Sequence, residues 1–225
     1  MRKTKLLKAD LHIHTKYSLD CNTPLEQIIS RCEEININCI TIADHGTIEG
    51  ALKMQSIAPF TVIIAEEILT HNGEIMGLFL KECIPSGLSV EETISRIRAQ
   101  EGLVNIPHPF STLRASALDN EIIEELVAQG QIDLMEVFNA RSLLRRSSAK
   151  AQIFARKHGI PGGAGSDAHT LSEVGNAYIE MPEFDGKEDF LNALAQGKIF
   201  GRRTNPLTHI YSILARLKSN LKVEE

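Results

Sequence analysis

What this sequence has little of narrows it before any motif is read. It holds four cysteines, Cys21, Cys32, Cys39 and Cys83, and no Cys-x-x-Cys pair. That excludes a disulfide-stapled scaffold and a thiolate zinc cluster, and it predicts reduced thiols. Cys39 lies in an apolar run and reads as a small core residue. No apolar run approaches the roughly 18 residues that cross a bilayer, so no membrane span is expected. The opening "MRKTKLLKAD" lacks the apolar core of a secretory leader, and the expected location is the cytoplasm. Nor is there an excess of positive charge: 24 Lys and Arg stand against 29 Asp and Glu, a formal net charge of −5. That disfavours a surface for nucleic acid, yet leaves room for a small phosphate-bearing substrate, which needs only local positive charge. Low-complexity tracts, long linkers and fixed-period repeats are missing. The 225 residues are read as one domain spanning 1–225, large enough for its own core.

What is present is an alternation of strands and helices. Leu6–Ile13 reads as a first strand. "TPLEQIISRCEEI" reads as a helix with Thr23 at the N-cap, Pro24 at the first helical position and Glu26 completing a capping box. "CITIAD" has the length and continuous apolarity of a strand buried on both faces. A short helix over 47–55 and the strand "FTVIIA" follow. "EEILTHNGEIMGLFL" predicts a hairpin turning at Asn72-Gly73. "SVEETISRIRAQEG" predicts a helix capped by Ser89, with Glu92 in the box position and Gly102 as the stop. Then come the strand "LVNIP", the helix "DNEIIEELVAQG", the strand "IDLMEVF" and the helix "SSAKAQIFARKHG". The short strand "PGGAGS", the strand "AYIEM", the helix "DFLNALAQG" and an amphipathic helix over 208–221 complete the chain. Such alternation predicts a parallel sheet in an α/β fold, either a small barrel or an open doubly wound sheet. The first strand ends in His-x-His where a dinucleotide fold would carry a glycine-rich phosphate turn, which favours the barrel.

The polar residues gather where these strands end. His12 and His14 close the first strand, Asp44 and His45 the second, Glu66 and Glu67 the third; His108 follows "LVNIP", and Asp167 and His169 follow "GGAGS". Taken singly, each has an ordinary explanation as a turn, a cap or a solvated loop residue. Taken together, they mark the strand-end rim where parallel α/β folds carry function, because isolated polar groups beside buried strands are costly unless partnered. His71 falls in the hairpin turn and His158 at a helix C-terminus, where it complements the dipole; neither is a candidate ligand. Mixed imidazole and carboxylate donors suit zinc, manganese or iron, and there are enough donors for two or three ions. Asp20, Glu67 and Asp167, even with Glu74 added, leave three divalent ions positively charged overall. Such a site attracts a phosphate dianion, and paired ions clamp the oxygens of an in-line phosphoryl displacement.

The segments "DLHIHTKYSLD", "ITIADHGTIEG", "AEEI", "NIPHPF" and "GSDAH", in this order, resemble the PHP (polymerase and histidinol phosphatase) superfamily of metal-dependent phosphoesterases. "EVFNAR" and "GRRTNPLTHIYS" resemble its stand-alone members. The resemblance implies a distorted (β/α)7 barrel with two or three metal ions at the C-terminal rim of the strands. It implies His12 and His14 as ligands of a first ion, Glu67 rather than Glu66 as the bridging carboxylate, and Asp167 closing the first site. His108 would hold a second ion, and Asp20, His45 and His169 a third. Where many members carry a further histidine this chain has Glu74, an oxygen donor that favours a harder ion such as manganese or iron.

The expected activity is hydrolysis of a small phosphate ester, a phosphomonoester or nucleotide-type ester, by a metal-activated water, with inorganic phosphate as product. His45 or His169 would act as general acid if the third ion is absent. Arg141 is either a bidentate phosphate ligand or a surface arginine at a helix start; Arg202 or Arg203 would reach phosphate from the tail. Asn139 either orients substrate or caps its turn. Three rivals stand beside this reading: a phosphodiesterase trimming nucleic-acid ends, an amidohydrolase, and a non-catalytic metal-binding module. The charge disfavours the first, and no strand end offers the lysine usual in the second. Substrate choice is assigned to the rim loops Ser111–Asp119 and Leu143–Ser148.

Overall fold

The structure, a computed structural model, describes residues 6–205 and Thr208. Nine strands form one sheet in the order β7-β6-β5-β4-β3-β2-β1-β8-β9. They are β1 (Leu6–Ile13), β2 (Cys39–His45), β3 (Thr61–Thr70), β4 (Gly73–Leu78), β5 (Leu103–Ile106), β6 (Leu134–Asn139), β7 (Gly162–Gly165), β8 (Ala177–Pro182) and β9 (Lys198–Gly201). The helices are α1 (Leu25–Glu34), α2 (Glu49–Ile57), α3 (Val90–Ala99), α4 (Asn120–Ala128), α5 (Arg145–His158) and α6 (Gly186–Ala195).

The segment after β7 returns to β1. The Asp167 N–H donates to the His12 carbonyl at 2.8 Å, and the His14 N–H donates to the Ala168 carbonyl at 3.0 Å. Strands β1 to β7 therefore make a nearly closed, distorted barrel, and β8 and β9 extend the sheet beyond the first half of β1.

Strand polarity sorts the side chains. In β3, Ile63 and Ala65 join Leu7, Ala9 and Leu11 of β1 in one core cluster, closed by Phe190 of α6. Ile40 and Ile42 of β2 point the other way and pack with Leu25 and Ile28 of α1. The two-residue period thus puts Glu67 on the face of Ile63 and Ala65, and Glu66 on the opposite face. In β1 the register shifts between Asp10 and Ile13. Leu11 belongs to the first cluster and Ile13 to the second, so this irregularity re-aims the last residues of the strand.

Several expectations need correction. The sheet is mixed: β4 runs antiparallel to β3 and β5, and β8 antiparallel to β1 and β9. A hairpin forces this reversal, since a two-residue connection can only join antiparallel strands. Strand β3 continues through both glutamates to Thr70, and its turn is His71–Asn72, with Gly73 (φ 125°) opening β4. Thr23 does not cap α1: Pro24 takes that place with no side-chain cap, and the Thr23 hydroxyl donates to the His169 carbonyl at 3.3 Å. The loop after β7 draws it away. Ser89 does cap α3, accepting from the Glu92 N–H at 3.1 Å, but Glu101 (φ 61°), not Gly102, adopts the left-handed conformation past its end. Strand β9 was not expected. The predicted tail helix lies outside the described residues apart from Thr208. No described helix is long and apolar enough to cross a membrane.

Candidate metal centre

Six strands of the barrel, with the loops that follow them, deliver the predicted residues to one rim. His12 and His14 come from the end of β1, His45 is the last residue of β2, and Glu67 lies inside β3. His108 follows β5, and Asp167 and His169 follow β7. Glu74 is the second residue of β4 and reaches the same rim because that strand runs backwards. Asp20 arrives on the loop after β1.

Glu67 is the centre of the arrangement. Its Oε1 lies 2.8 Å from His108 Nε2, while Oε2 lies 3.2 Å from His12 Nε2 and 3.3 Å from His14 Nε2. His14 Nε2 is also 3.4 Å from Asp167 Oδ1, and His108 Nε2 is 3.3 Å from Glu74 Oε2. On the cleft side, Asp20 Oδ2 lies 3.2 Å from His169 Nε2 and 3.5 Å from His45 Nε2.

Among the described residues, three groups have donor atoms all within 4.8 Å of one another: His14, Asp20, His45 and His169; His12, His14 and Asp167; and His45, Glu67 and Glu74. All nine predicted ligands are thus brought together, His108 through Glu67 and Glu74. Glu66 is not among them. Its carboxylate faces away, accepting from the Ile84 N–H at 2.8 Å and lying 3.2 Å from Cys83 Sγ. Asp44 is likewise turned aside, accepting from the Thr15 N–H at 2.6 Å and hydroxyl at 2.7 Å. Gly50 makes room for that contact, since a Cβ there would lie 2.2 Å from Asp44 Oδ2.

Several residues that hold this cluster escaped the sequence reading. Glu136 Oε1 lies 3.1 Å from His12 Nδ1, which leaves Nε2 facing the cluster, and Oε2 accepts from the His108 N–H at 2.7 Å. Such an outer carboxylate fixes the ring and its tautomer. Asn139, left open above, donates to Glu136 Oε2 at 2.9 Å and Asp167 Oδ2 at 3.1 Å, and its Oδ1 accepts from the Arg141 and Ser142 N–H groups. Asp10 accepts from the Ser166 N–H at 2.8 Å and the Gly175 N–H at 3.0 Å, tying β1 to the chain after β7. Arg114 Nη2 lies 2.5 Å from Asp167 Oδ2.

The other arginines divide between the cleft and its surroundings. Arg141 is buried beside the cleft, its Nε 3.3 Å from Glu173 Oε1. Arg202 Nε donates to Asn176 Oδ1 at 2.9 Å, and Arg203 donates to the Ser142 carbonyl; neither lines the cleft. His108 (φ 31°) and Asp167 (φ 54°) are held in the left-handed region, a strain of about 1–3 kcal/mol each that the surrounding bonds must sustain.

Electrostatics follow this geometry. Burial opposes the charge on His14, but its hydrogen bonds to Asp167 and Glu67 raise it to about 9. His12 is raised well above the ordinary imidazole value, because the charges of Glu67 and Asp167 outweigh burial. Burial likewise opposes the charge on the acids. Glu67 is nevertheless held well below its usual range by the His12 charge and the His108 hydrogen bond, and Asp167 by Arg114 and His12. His169 falls to about 4 through burial and the neighbouring His14, which Asp20 offsets in part.

The donor set fits divalent ions. It is oxygen and imidazole without thiolate. Glu74 Oε2 and Asp167 Oδ1 are buried and face imidazole nitrogens at 3.3 and 3.4 Å, with no backbone N–H or hydroxyl donor among the described residues, an arrangement that suits a cation between oxygen and nitrogen donors.

The PHP domain matches residues 10–73, and the PHP-associated region matches residues 145–199. An uncharacterized protein of Methanocaldococcus jannaschii is 35% identical over 196 residues, which cover 84% of this chain and 79% of that protein. The chain belongs to the PHP family. Among solved structures, a two-domain protein of Bacteroides vulgatus containing a predicted PHP-like metal-dependent phosphoesterase is similar with a TM-score of 0.70 at 14% identity. The match covers 88% of this chain, which spans 65% of that protein. PsfC of Pseudomonas syringae is similar with a TM-score of 0.68 at 14% identity, covering 95% of this chain and 99% of that protein. At these identities the likeness is one of fold.

Proposed function

We propose that this PHP chain hydrolyses a small phosphate ester, a phosphomonoester or nucleotide-type ester. In this reading two or three divalent ions are held by His12, His14, Asp20, His45, Glu67, Glu74, His108, Asp167 and His169. The observation that carries it is Glu67, whose two oxygens face different imidazoles, Oε1 toward His108 and Oε2 toward His12 and His14. A carboxylate shared between donor groups in this way suits neighbouring ions. Zinc, manganese and iron all match the donors, and Glu74 favours manganese or iron. Bound there, the ions would supply positive charge for phosphate oxygens and would lower the pKa of an attacking water.

The chain's own residues bind and orient. Arg114 and Arg141 flank a cleft of about 470 Å³ that also exposes Asp20, His45, Glu74 and His169. Their guanidinium groups suit the non-bridging phosphate oxygens, which for Arg114 means exchanging Asp167 for substrate. In the reaction the water oxygen bonds to phosphorus, the bond from phosphorus to the alcohol oxygen breaks, and the alcohol oxygen takes up a proton. His45 faces the cleft with its ring 23% exposed and raised in basicity, so it passes that proton where the Asp20 group holds no ion. His169, depressed to about 4, offers a lone pair instead. The products are an alcohol and inorganic phosphate. The four free thiols fit a reducing compartment, the cytoplasm.

Metal analysis of the purified chain, followed by phosphate release from mono- and diesters with added manganese, zinc or iron, tests the proposal. Replacing His12 and Asp167 together by alanine is expected to remove both bound metal and phosphate release; survival of both would overturn the assignment. Release of mononucleotides from nucleic-acid ends, with no activity on small esters, would move it to an exonuclease.

A further inference from the structure

The cleft has a second character that the metal cluster does not explain. Leu69, Leu113 and Leu143 all line it and are 46%, 63% and 48% exposed. They come from three separate elements: β3, the loop between β5 and α4, and the loop before α5. Each stands next to a charged residue of the site. Leu69 pairs with Glu74 across the β3–β4 hairpin, Leu113 precedes Arg114, and Leu143 lies two residues after Arg141. One apolar side chain thus accompanies each charged contributor to the same cleft. Scattered exposed leucines need no explanation, but several around one cleft mark a surface that a ligand covers. The cleft volume, about 470 Å³, falls in the range of small-molecule sites, which are mostly apolar with a few polar groups that fix orientation.

We infer that the cleft is a two-part site. Its charged end receives the phosphoryl group, and Leu69, Leu113 and Leu143 receive the organic part of the ester. The preferred substrates are then phosphate esters of an apolar alcohol or phenol, not of a sugar or polyol. A sugar would leave its hydroxyls facing leucine methyl groups, whereas an aryl or alkyl group would release water from both surfaces. This inference rests on the phosphoesterase reading above and adds the class of leaving group.

The test compares kcat/KM for benzyl phosphate and glycerol phosphate, whose leaving alcohols are alike in acidity, in the manganese-loaded protein, before and after Leu113→Ser with Leu143→Ser. A preference of about tenfold or more for benzyl phosphate is expected, the scale of a modest apolar contact. The paired substitution is expected to remove most of it, chiefly through KM. A ratio near one in the parent, or a ratio that survives the substitutions, would overturn the apolar subsite and leave phosphate release intact. If no ester is hydrolysed, the phosphoesterase reading fails. The subsite is then read from calorimetric binding of phenylphosphonate against methylphosphonate: tighter phenylphosphonate binding that the paired substitution weakens upholds it, and equal affinities overturn it.

Discussion

From Leu6 to Ala9, β1 pairs antiparallel with β8 and alternates between core and surface, with Lys8 half-buried. From Asp10 onward every residue of the strand is buried, and its neighbour is the segment that follows β7. One strand thus has an outer half that closes a sheet edge and an inner half that closes the barrel and carries the site. Neighbours, more than composition, make the difference. Along the outer half the strands exchange ordinary ladder bonds, and the polar side chains lie at the surface. Along the inner half, two backbone segments approach closely: Leu11 and Ile13 join the core clusters, the polar side chains Asp10, His12 and Glu136 find buried partners, and at Gly165 the side chain is absent.

The largest effect expected from testing this contrast is at Gly165. A Cβ there would lie 2.3 Å from the Cβ of His12 and 2.9 Å from Glu136 Oε1. Gly165→Ala is expected to cost about 3 kcal/mol of stability or more, the upper end of what overpacking costs because the clash meets backbone as well as side chain, and to lower metal content and phosphate release together. Denaturant unfolding and metal analysis read both, and a variant with parental metal content would show that the seam is not tight.

Next comes Asp10. Burial raises it from 3.8 to about 6, and the donors from Ser166, Gly175 and His12 offset this only in part. The folded state therefore binds the proton more tightly than the unfolded chain. The contribution of Asp10 to stability is largest below pH 3.8 and declines as pH rises through about 6, by roughly 3 kcal/mol at about 1.4 kcal/mol per unit. Asp10→Asn cannot titrate. The parent should thus lose stability relative to the variant between pH 4 and pH 7, whatever the offset from the lost Gly175 contact; a constant difference refutes the assignment.

Glu136→Gln follows. It leaves fewer acceptors for His12, His108 and Asn139, and is expected to weaken metal affinity about 10–100-fold, as loss of an orienting partner usually does. The smallest effect belongs to the outer half. Lys8 and Glu180 lie 3.6 Å apart at the surface, and Lys8→Ala is expected to change stability by less than about 1 kcal/mol with unaltered phosphate release. A larger effect on activity would remove the distinction between the two halves.

The same contrast separates what the sequence discloses from what it hides. Local signals are legible: β1 has its predicted bounds, Ser89 caps α3, and the hairpin turns where Asn72 indicates. The gathering of His12, His14, His45, Glu67, His108, Asp167 and His169 at one rim is legible too, because His, Asp and Glu recur where apolar runs finish; Asp20 and Glu74 gained ligand roles only through the family resemblance. The direction of β4 follows from its hairpin, but the role of Thr23 depends on what packs nearby, and propensity carries no record of it. Asp10 and Glu136 did leave a trace, each a single acid inside an apolar strand run, and a buried carboxylate always needs partners. Arg114, in an irregular loop, left none. Glu66 and Glu67 show the finest case, adjacent and chemically alike, separated only by which face of β3 each occupies.

The seam also sets a schedule for assembly. Asp10 meets Ser166 and Gly175 across 156 and 165 residues of chain, and His12 and His14 wait equally long for Asp167. On a ribosome the first two histidines emerge early with no partners to share an ion. The centre is complete only after the loop beyond β7 has been made and has returned to β1. Contacts of such high sequence separation form late. Any ion held by the finished cluster would then favour chains in which both ends have met, so that loading with metal reports on completed folding.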